Sequence, residues 1–335
     1  MILVTGSTGL VGSHLVLHLA ENANLPVRAI YRDESQIEGV KSLFASYGKI
    51  ELFAAISWVN ADILDIPSLE IAFQDITKVY HCAGQISFDP NDENLLRKTN
   101  IEGTANIVNF CIDKNVVKLC HVSSIAALGT LSPGQSQIDE TCGWNPDLHH
   151  SDYALSKYGA EMEVWRGQQE GLQVVIVNPG IILGPYVKNR NSKQGSSAFV
   201  HRIKRGMPFY TNGITGYVGV WDVVKIMCAL MESSIHGERF IVVAENRTFE
   251  DIISTIANAF HRKPPQFNAK KWMLLAYWRL DQLCSILLRT KRKITRVGIQ
   301  SLYNKDQIAN TKIKNALSYE FESIDTYIQS IIATY

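Results

Sequence analysis

The sequence predicts an α/β protein with a doubly wound parallel sheet and a smaller, mostly helical C-terminal lobe. Three observations carry this. An apolar run, Ile2 to Val4, breaks into three glycines, Gly6, Gly9 and Gly12, and resumes at helical spacing through Leu10, Val11, Leu15, Leu17 and Leu19. Strand-like and helix-like stretches then alternate as far as about residue 180. The strand candidates are apolar, as strands covered by helices on both faces must be.

Each element follows in order. The first strand, glycine turn and helix lead into a second strand, Pro26 to Tyr31, which completes a βαβ unit of about 30 residues. A polar helix is expected from Glu34 to Tyr47. An apolar run from Ile50 to Val59 then leads to Asn60-Ala61-Asp62-Ile63-Leu64-Asp65, and a helix follows from Ile66 to Phe73. Lys78 to Ala83 reads as a strand ending at Gly84. A long helix is expected from Leu95 to Lys114, through Asn100 and the small residues Gly103, Thr104 and Ala105. The strand Lys118 to Val122 ends at Ser123-Ser124, and a loop rich in Ser, Pro and Gly spans Gly129 to Pro146. A helix covers Tyr153 to Glu170, and the strand Leu172 to Val177 ends at Asn178-Pro179-Gly180. Beyond residue 185 the alternation weakens. Asn189 to Ser197 reads as a polar, mobile loop, Val218 to Met231 and Arg239 to Ala244 as core elements, and the rest as helix.

The glycine turn carries chemistry. One glycine permits the turn, one lets backbone approach a pyrophosphate, and one lets helix pack on strand. The helix N-terminus then offers free N–H groups and a positive dipole end to phosphates.

Composition is that of an ordinary globular chain, 46% hydrophobic and 19% charged over 335 residues, long enough for two lobes. Met1 leads straight into a core strand, which leaves no room for a signal peptide and points to the cytoplasm. No stretch reaches the roughly 20 apolar residues of a membrane span. Six scattered cysteines show no metal-ligand spacing and read as reduced thiols. His149-His150 is a loop pair whose side chains point apart, so no metal site is expected.

Three further residues form a candidate catalytic set. Tyr153 and Lys157, four apart on a helix, face the same way. An ammonium beside a buried tyrosine favours the phenolate and is expected to pull its pKa down from about 10, so that it exchanges a proton near neutral pH. Ser124, at a strand end, supplies a hydroxyl able to hold a substrate oxygen.

The motifs TGSTGLVG, NADILD, HCAG, the helix with Asn100, SSIAALG, YALSK and PGIILGP, in unbroken order over residues 1–185, resemble the extended short-chain dehydrogenase/reductase superfamily, with its NAD-dependent epimerase/dehydratase family. The resemblance is to its dihydroflavonol reductase and 3β-hydroxysteroid dehydrogenase-like branch. It implies a Rossmann-type NAD(P)-binding domain over 1–182 and a substrate-binding lobe over 183–335, partly interleaved with the sheet. By resemblance, Tyr153 is the general acid/base and Lys157 lowers its pKa and contacts the nicotinamide ribose. Ser124 orients the substrate carbonyl; it is chosen over Ser123 because it stands five residues before Gly129. Gly6, Gly9, Leu10 and Gly12 match the pyrophosphate turn, Asp62 and Ile63 the adenine contact, and Ala83 and Gly84 the cofactor-side loop. Pro179 and Ile182 belong to a segment that resembles the loop contacting the carboxamide. Asn100 matches a scaffold position. A homodimer is a further expectation of the resemblance.

At the end of the second strand, where NAD-preferring folds place an acid, stand Tyr31 and Arg32. A guanidinium suits a 2′-phosphate, so NADP(H) is favoured, with NAD(H) the alternative. The segment Asn178-Pro179-Gly180-Ile181-Ile182-Leu183-Gly184-Pro185 differs from nucleotide-sugar relatives, which carry an asparagine where Ile181 stands. This favours reduction of a ketone or aldehyde on a hydrophobic small molecule, or oxidation of the alcohol. Phe88, Phe199, Phe209, Tyr210 and Tyr217 are available to line a pocket. The alternatives are a nucleotide-sugar epimerase or dehydratase, and a non-catalytic dinucleotide-binding regulatory protein.

Net charge is only +1, but ten Lys or Arg lie between residues 262 and 296 against one acid, Asp281. Within that stretch Lys271 to Leu288 is a strongly apolar helix. It reads either as a lobe helix packed on the core or, with its basic flanks over 270–296, as a peripheral membrane contact. Its apolar content argues against nucleic acid.

Overall fold

The computed structural model describes all residues except Phe88, Ser132, Pro133, 186–194, 289–291 and Lys293, and the side chains of 195–197, Ile286 and Leu288. The first half alternates as expected: β1 (Ile2–Thr5), α1 (Leu10–Asn22), β2 (Val27–Tyr31), α2 (Ile37–Ser46), β3 (Ser57–Asn60), α3 (Ile66–Ala72) and β4 (Lys78–His81). Two stretches are tighter than the hydrophobic pattern suggested. Glu34–Gln36 forms a 3-10 turn capped by Asp33, whose carboxylate accepts from the Ser35 N–H at 3.0 Å. Ile50–Ala55 is another 3-10 helix.

The long helix expected over 95–114 is three pieces: α4 (Glu93–Leu96), a π turn (Arg97–Glu102) and α5 (Gly103–Asp113). β5 (Lys118–Val122), a short β6 (Gln137–Ile138), α6 (Asp152–Gln169) and β7 (Gln173–Pro179) follow.

The second half holds β8 (Ile181–Leu183), α7 (Gly195–Lys204), β9 (Phe209–Tyr210), β10 (Ile214–Gly219), α8 (Val220–Glu232), β11 (Glu238–Val242), β12 (Glu245–Thr248) and α9 (Phe249–Ala259). Then come β13 (Phe267–Asn268), α10 (Lys271–Leu288), α11 (Arg296–Ser301), β14 (Gln307–Ile308), α12 (Thr311–Leu317) and α13 (Ile324–Ile331). So the C-terminal part is less purely helical than its composition implied. Of the loop expected at 189–197, residues 189–194 lie outside the described residues, and Gly195 already begins α7.

Seven strands form one parallel sheet in the order β11-β7-β5-β4-β1-β2-β3. The order reverses between β1 and β4, the place where such sheets open a crevice at their carboxyl ends. Helices cover both faces. One core cluster packs α1 and α8 on one face through Leu15, Val16, Val223 and Met227. The other packs α3 and α5 through Leu69, Ile107 and Val108. β8 leaves the main sheet to pair with β10 in a three-stranded sheet with β12.

Candidate active site

At the β1–α1 junction Gly6 takes φ +63°, and a Cβ there would lie 2.6 Å from the Ala83 nitrogen at the end of β4. At Gly12 a Cβ would lie 2.2 Å from the Gly6 carbonyl oxygen. Only glycine closes this turn so tightly. Gly9 caps α1 without any side-chain hydrogen bond, so the first N–H groups of the helix remain free for an anion. Leu10 packs over Gly184, where a Cβ would come within 2.6 Å of its Cδ1. The turn fits a pyrophosphate.

Arg32, at the exposed end of β2, faces Asp62 across 3.8 Å. Both remain partly open to solvent, so the pair is loose. Ile63 turns its side chain into the core, where it fills the space beside Gly103, while its carbonyl accepts from Asn106 at 2.9 Å. What Ile63 offers a ligand therefore lies in its main chain.

Beyond the turn, β4, β5 and β7 end around α6. Gly84 brings the main chain close to Asn100 and to the Lys157 ammonium. Asn100 is buried in the π turn and clamps the loop after β4: it accepts from the Gln85 N–H at 2.7 Å and donates to the Gln85 carbonyl at 3.0 Å and to Ser156 at 2.8 Å. Lys157 is buried, and its ammonium donates to the Val122 carbonyl at 2.8 Å. Burial pulls its pKa down to about 8, against the raising influence of Glu161.

The two adjacent serines diverge. Ser123 is buried, and its hydroxyl donates to Glu161 at 2.5 Å. Ser124 caps the turn Ile125–Ala127 and hydrogen-bonds the Tyr153 phenol. The phenol itself departs from expectation. Burial raises its pKa, and the hydrogen bond with Ser124 offsets this only in part. Of the three ammonium protons of Lys157, one is held by the Val122 main-chain carbonyl, and burial outweighs what lowers the phenol. Pro179 ends β7, and Ile182 sits in β8 opposite Val218.

A buried carboxylate absent from the sequence reading underlies this cluster. Glu161, one turn beyond Lys157 on α6, is fully buried and also accepts from Asn178 at 2.6 Å. It faces the Arg239 guanidinium at 3.4 Å. Asn178 in turn donates to the Ser124 carbonyl at 2.9 Å. The spacing of Tyr153, Lys157 and Glu161, all on one helical face, was the available signal.

Below the site a second network is also new. Thr5 and Thr104 flank the His81 ring at 2.7 and 3.0 Å. His121 lies 5.1 Å from His81, ring centre to ring centre, and both of its ring nitrogens are buried without a hydrogen-bond partner. Burial holds His81 neutral, with its pKa lowered to about 3.

Of the aromatic residues considered for a pocket, Tyr217 is core, Phe199 and Tyr210 pack partly buried against it, and Phe209 is exposed beside Phe267. Phe88 lies outside the described residues. A surface cavity of about 820 Å³ lies apart from the cleft, between the 134–141 loop, the start of β11 and α12. Among the described residues no cluster of His, Cys, Asp and Glu could hold a metal. All six cysteines are free thiols.

The sequence profile of the NAD dependent epimerase/dehydratase family matches residues 2–243. Sterol demethylase protein B of Methylococcus capsulatus is 30% identical, over 75% of this chain and 72% of its own. Cinnamoyl-CoA reductase 1 of Petunia hybrida is 26% identical, over 79% and 78%. The UDP-glucose 4-epimerase of Thermotoga maritima, solved with UDP-glucose, shares the fold with a TM-score of 0.76 at 21% identity, covering 99% of this chain and 97% of its own.

Proposed function

The chain belongs to the NAD dependent epimerase/dehydratase family and is an NAD(P)-dependent oxidoreductase; from that premise we propose that it is an NADP(H)-dependent reductase of a ketone or aldehyde on a hydrophobic small molecule. The observation that carries the reading is the hydrogen bond between Ser124 and Tyr153, with Lys157 one turn further along the same helix. A purely regulatory binder has no need to bring a serine and a tyrosine from separate elements together beside a buried ammonium. Reductase names among the relatives support the same chemistry. A nucleotide-sugar reading is disfavoured by Ile181, which is apolar and paired with Tyr217 in the β8–β10 ladder.

The nicotinamide ring, when bound, supplies the hydride. Gly6, Gly9, Leu10 and Gly12 would hold the pyrophosphate, Ala83 and Gly84 the cofactor-side wall, and Pro179 and Ile182 the carboxamide side. Asp62 and the main chain of Ile63 would flank the adenine. Ser124 holds the substrate oxygen by its hydroxyl. Tyr153 gives that oxygen its phenolic proton as charge develops there. Lys157 stabilises the phenolate left behind, because a buried ammonium next to an anion lowers its free energy more than water would. The lobe from residue 183 onward would cover the substrate.

Arg32 supports NADP(H). It follows the end of β2, the position at which dinucleotide-binding folds read the ribose 2′ substituent, and its partner Asp62 holds it only loosely. Calorimetric titration of NADPH and NADH into wild type and Arg32→Ala tests this. NADPH should weaken about tenfold on mutation, the worth of one charge-assisted hydrogen bond, with NADH within about twofold. NADH binding as tight as NADPH in wild type, unaffected by the mutation, overturns the cofactor preference. Failure of both to bind overturns the enzymatic reading.

A further inference from the structure

Among the described residues, α10 gathers more exposed large apolar side chains than any other element. In an 18-residue helix, Trp272, Leu280, Leu283 and Leu287 are 57–79% exposed, and Met273 and Tyr277 are open as well. At about 100° per residue, these six positions fall within an arc of about 140°. The polar or partly buried positions Asp281, Gln282 and Ser285 lie outside it. Phe267, four residues before the helix, and Phe209 are exposed as well, with ring centres 5.9 Å apart on the β9–β13 pair. Contiguous exposure of this kind on a soluble chain marks a contact surface.

Charge decides what covers it. Lys270 and Lys271 at the start of the helix, Arg279 within it and Arg296 at the start of α11, which packs on it, are all exposed. Arg279 borders the apolar arc and lies over the Trp278 ring, 4.6 Å from its centre. A second copy of this chain, meeting it across a two-fold axis, would set these cations against themselves. A nucleic acid would leave the leucines uncovered. An apolar surface edged with anions satisfies both features, and Trp and Tyr favour such an interface. No helix among the described residues is long and apolar enough to cross a membrane.

We propose that α10 docks the protein on anionic lipid bilayers, lying in the plane of the surface with its leucine face in the acyl boundary and its cations among the headgroups. The contact stands on this surface alone and does not depend on the reductase reading.

The test is flotation of the full chain with vesicles of phosphatidylcholine alone and of phosphatidylcholine mixed with phosphatidylserine. NADPH binding and oligomeric state are measured in parallel. The protein should float with the mixed vesicles at low salt and release as salt rises. Leu280→Glu/Leu283→Glu, at exposed positions that folding does not need, should weaken binding at least tenfold and leave NADPH binding unchanged. Lys270→Glu/Lys271→Glu should abolish the preference for phosphatidylserine. No flotation at low salt, or flotation indifferent to the double glutamate variant, overturns the proposal. A dimer that the same variant splits into monomers overturns it in favour of a second copy.

Discussion

At the residue scale the candidate site turns on a charge that sequence spacing hinted at and burial made decisive. Glu161 accepts hydrogen bonds from Ser123 and Asn178 and faces both Arg239 and Lys157, with no exposure of its own. Glu161→Gln keeps the shape and one acceptor oxygen but removes the anion. Breaking a buried pair costs about 3–5 kcal/mol, and the lower end applies here because Arg239 keeps its bonds to the Glu140 and Cys142 carbonyls. The same change removes an influence that raises the Lys157 pKa. In the proposed mechanism Lys157 acts as a cation, which it ceases to be as pH rises through about 8. Without Glu161 the proton leaves at lower pH, so the alkaline limb of kcat/KM should move to lower pH. A limb that stays in place in a folded variant refutes this coupling. Much of the residue pattern was readable. The step of five to Gly129 points to Ser124; in the structure Ser123 turns inward to Glu161 and Ser124 to the Tyr153 phenol. The raised phenol pKa of Tyr153 was not readable, because spacing places Lys157 on the right face without telling how completely the phenol is buried.

At the element scale the glycine turn is the part most strictly dictated by sequence. A methyl group at Gly12 would meet the Gly6 carbonyl at 2.2 Å, so main chain must move to admit it. Gly12→Ala should lower stability by about 1–3 kcal/mol and weaken NADPH binding more than tenfold. Gly143→Ala is the control: nothing lies within 4 Å of the added carbon, and the change should stay within about 0.5 kcal/mol. Equal effects in thermal melts of the two variants would refute the steric account. Other elements were less legible for identifiable reasons. A π turn shares the apolar content of an α-helix, so periodicity could not show the break at Arg97–Glu102 that seats Asn100. Within the loop expected at 129–146, β6 exists only because Gln137 and Ile138 pair with Gln307 and Ile308, far along the chain. No local pattern records such a partner.

At the scale of the whole molecule, the parallel sheet was legible because each strand–helix unit announces itself locally. The second half was not, because its strands are short and pair at a distance, as β9 does with β13 and β8 with β10. Stability against acid belongs to the whole molecule too. His14, His81 and His121 are all but fully buried, and burial lowers their pKa values, to about 4 for His14, about 3 for His81 and well below the ordinary value for His121. Above the unfolded value of 6.5 all three are neutral in both states and cost nothing. As pH falls below 6.5 the unfolded chain takes up protons that the folded chain refuses. Each histidine then removes up to about 1.4 kcal/mol of stability per pH unit until its folded pKa is reached. Glu161 works in the opposite direction, since its raised pKa lets the folded state bind a proton earlier than the unfolded chain. Asp152 and Asp222 act as Glu161 does, their carboxyls also raised by burial, while the half-buried His18 joins the imidazoles; the strong shifts of His14, His81 and His121 leave a net loss. Calorimetric melts should therefore show Tm falling steeply between about pH 6 and 4, and His14→Gln, which removes the buried imidazole that α1 sets against Trp221 of α8, should flatten the slope. A Tm independent of pH across that window would mean that the three rings ionise in the folded protein, and that the packing around α1, β4 and β5 opens to admit water.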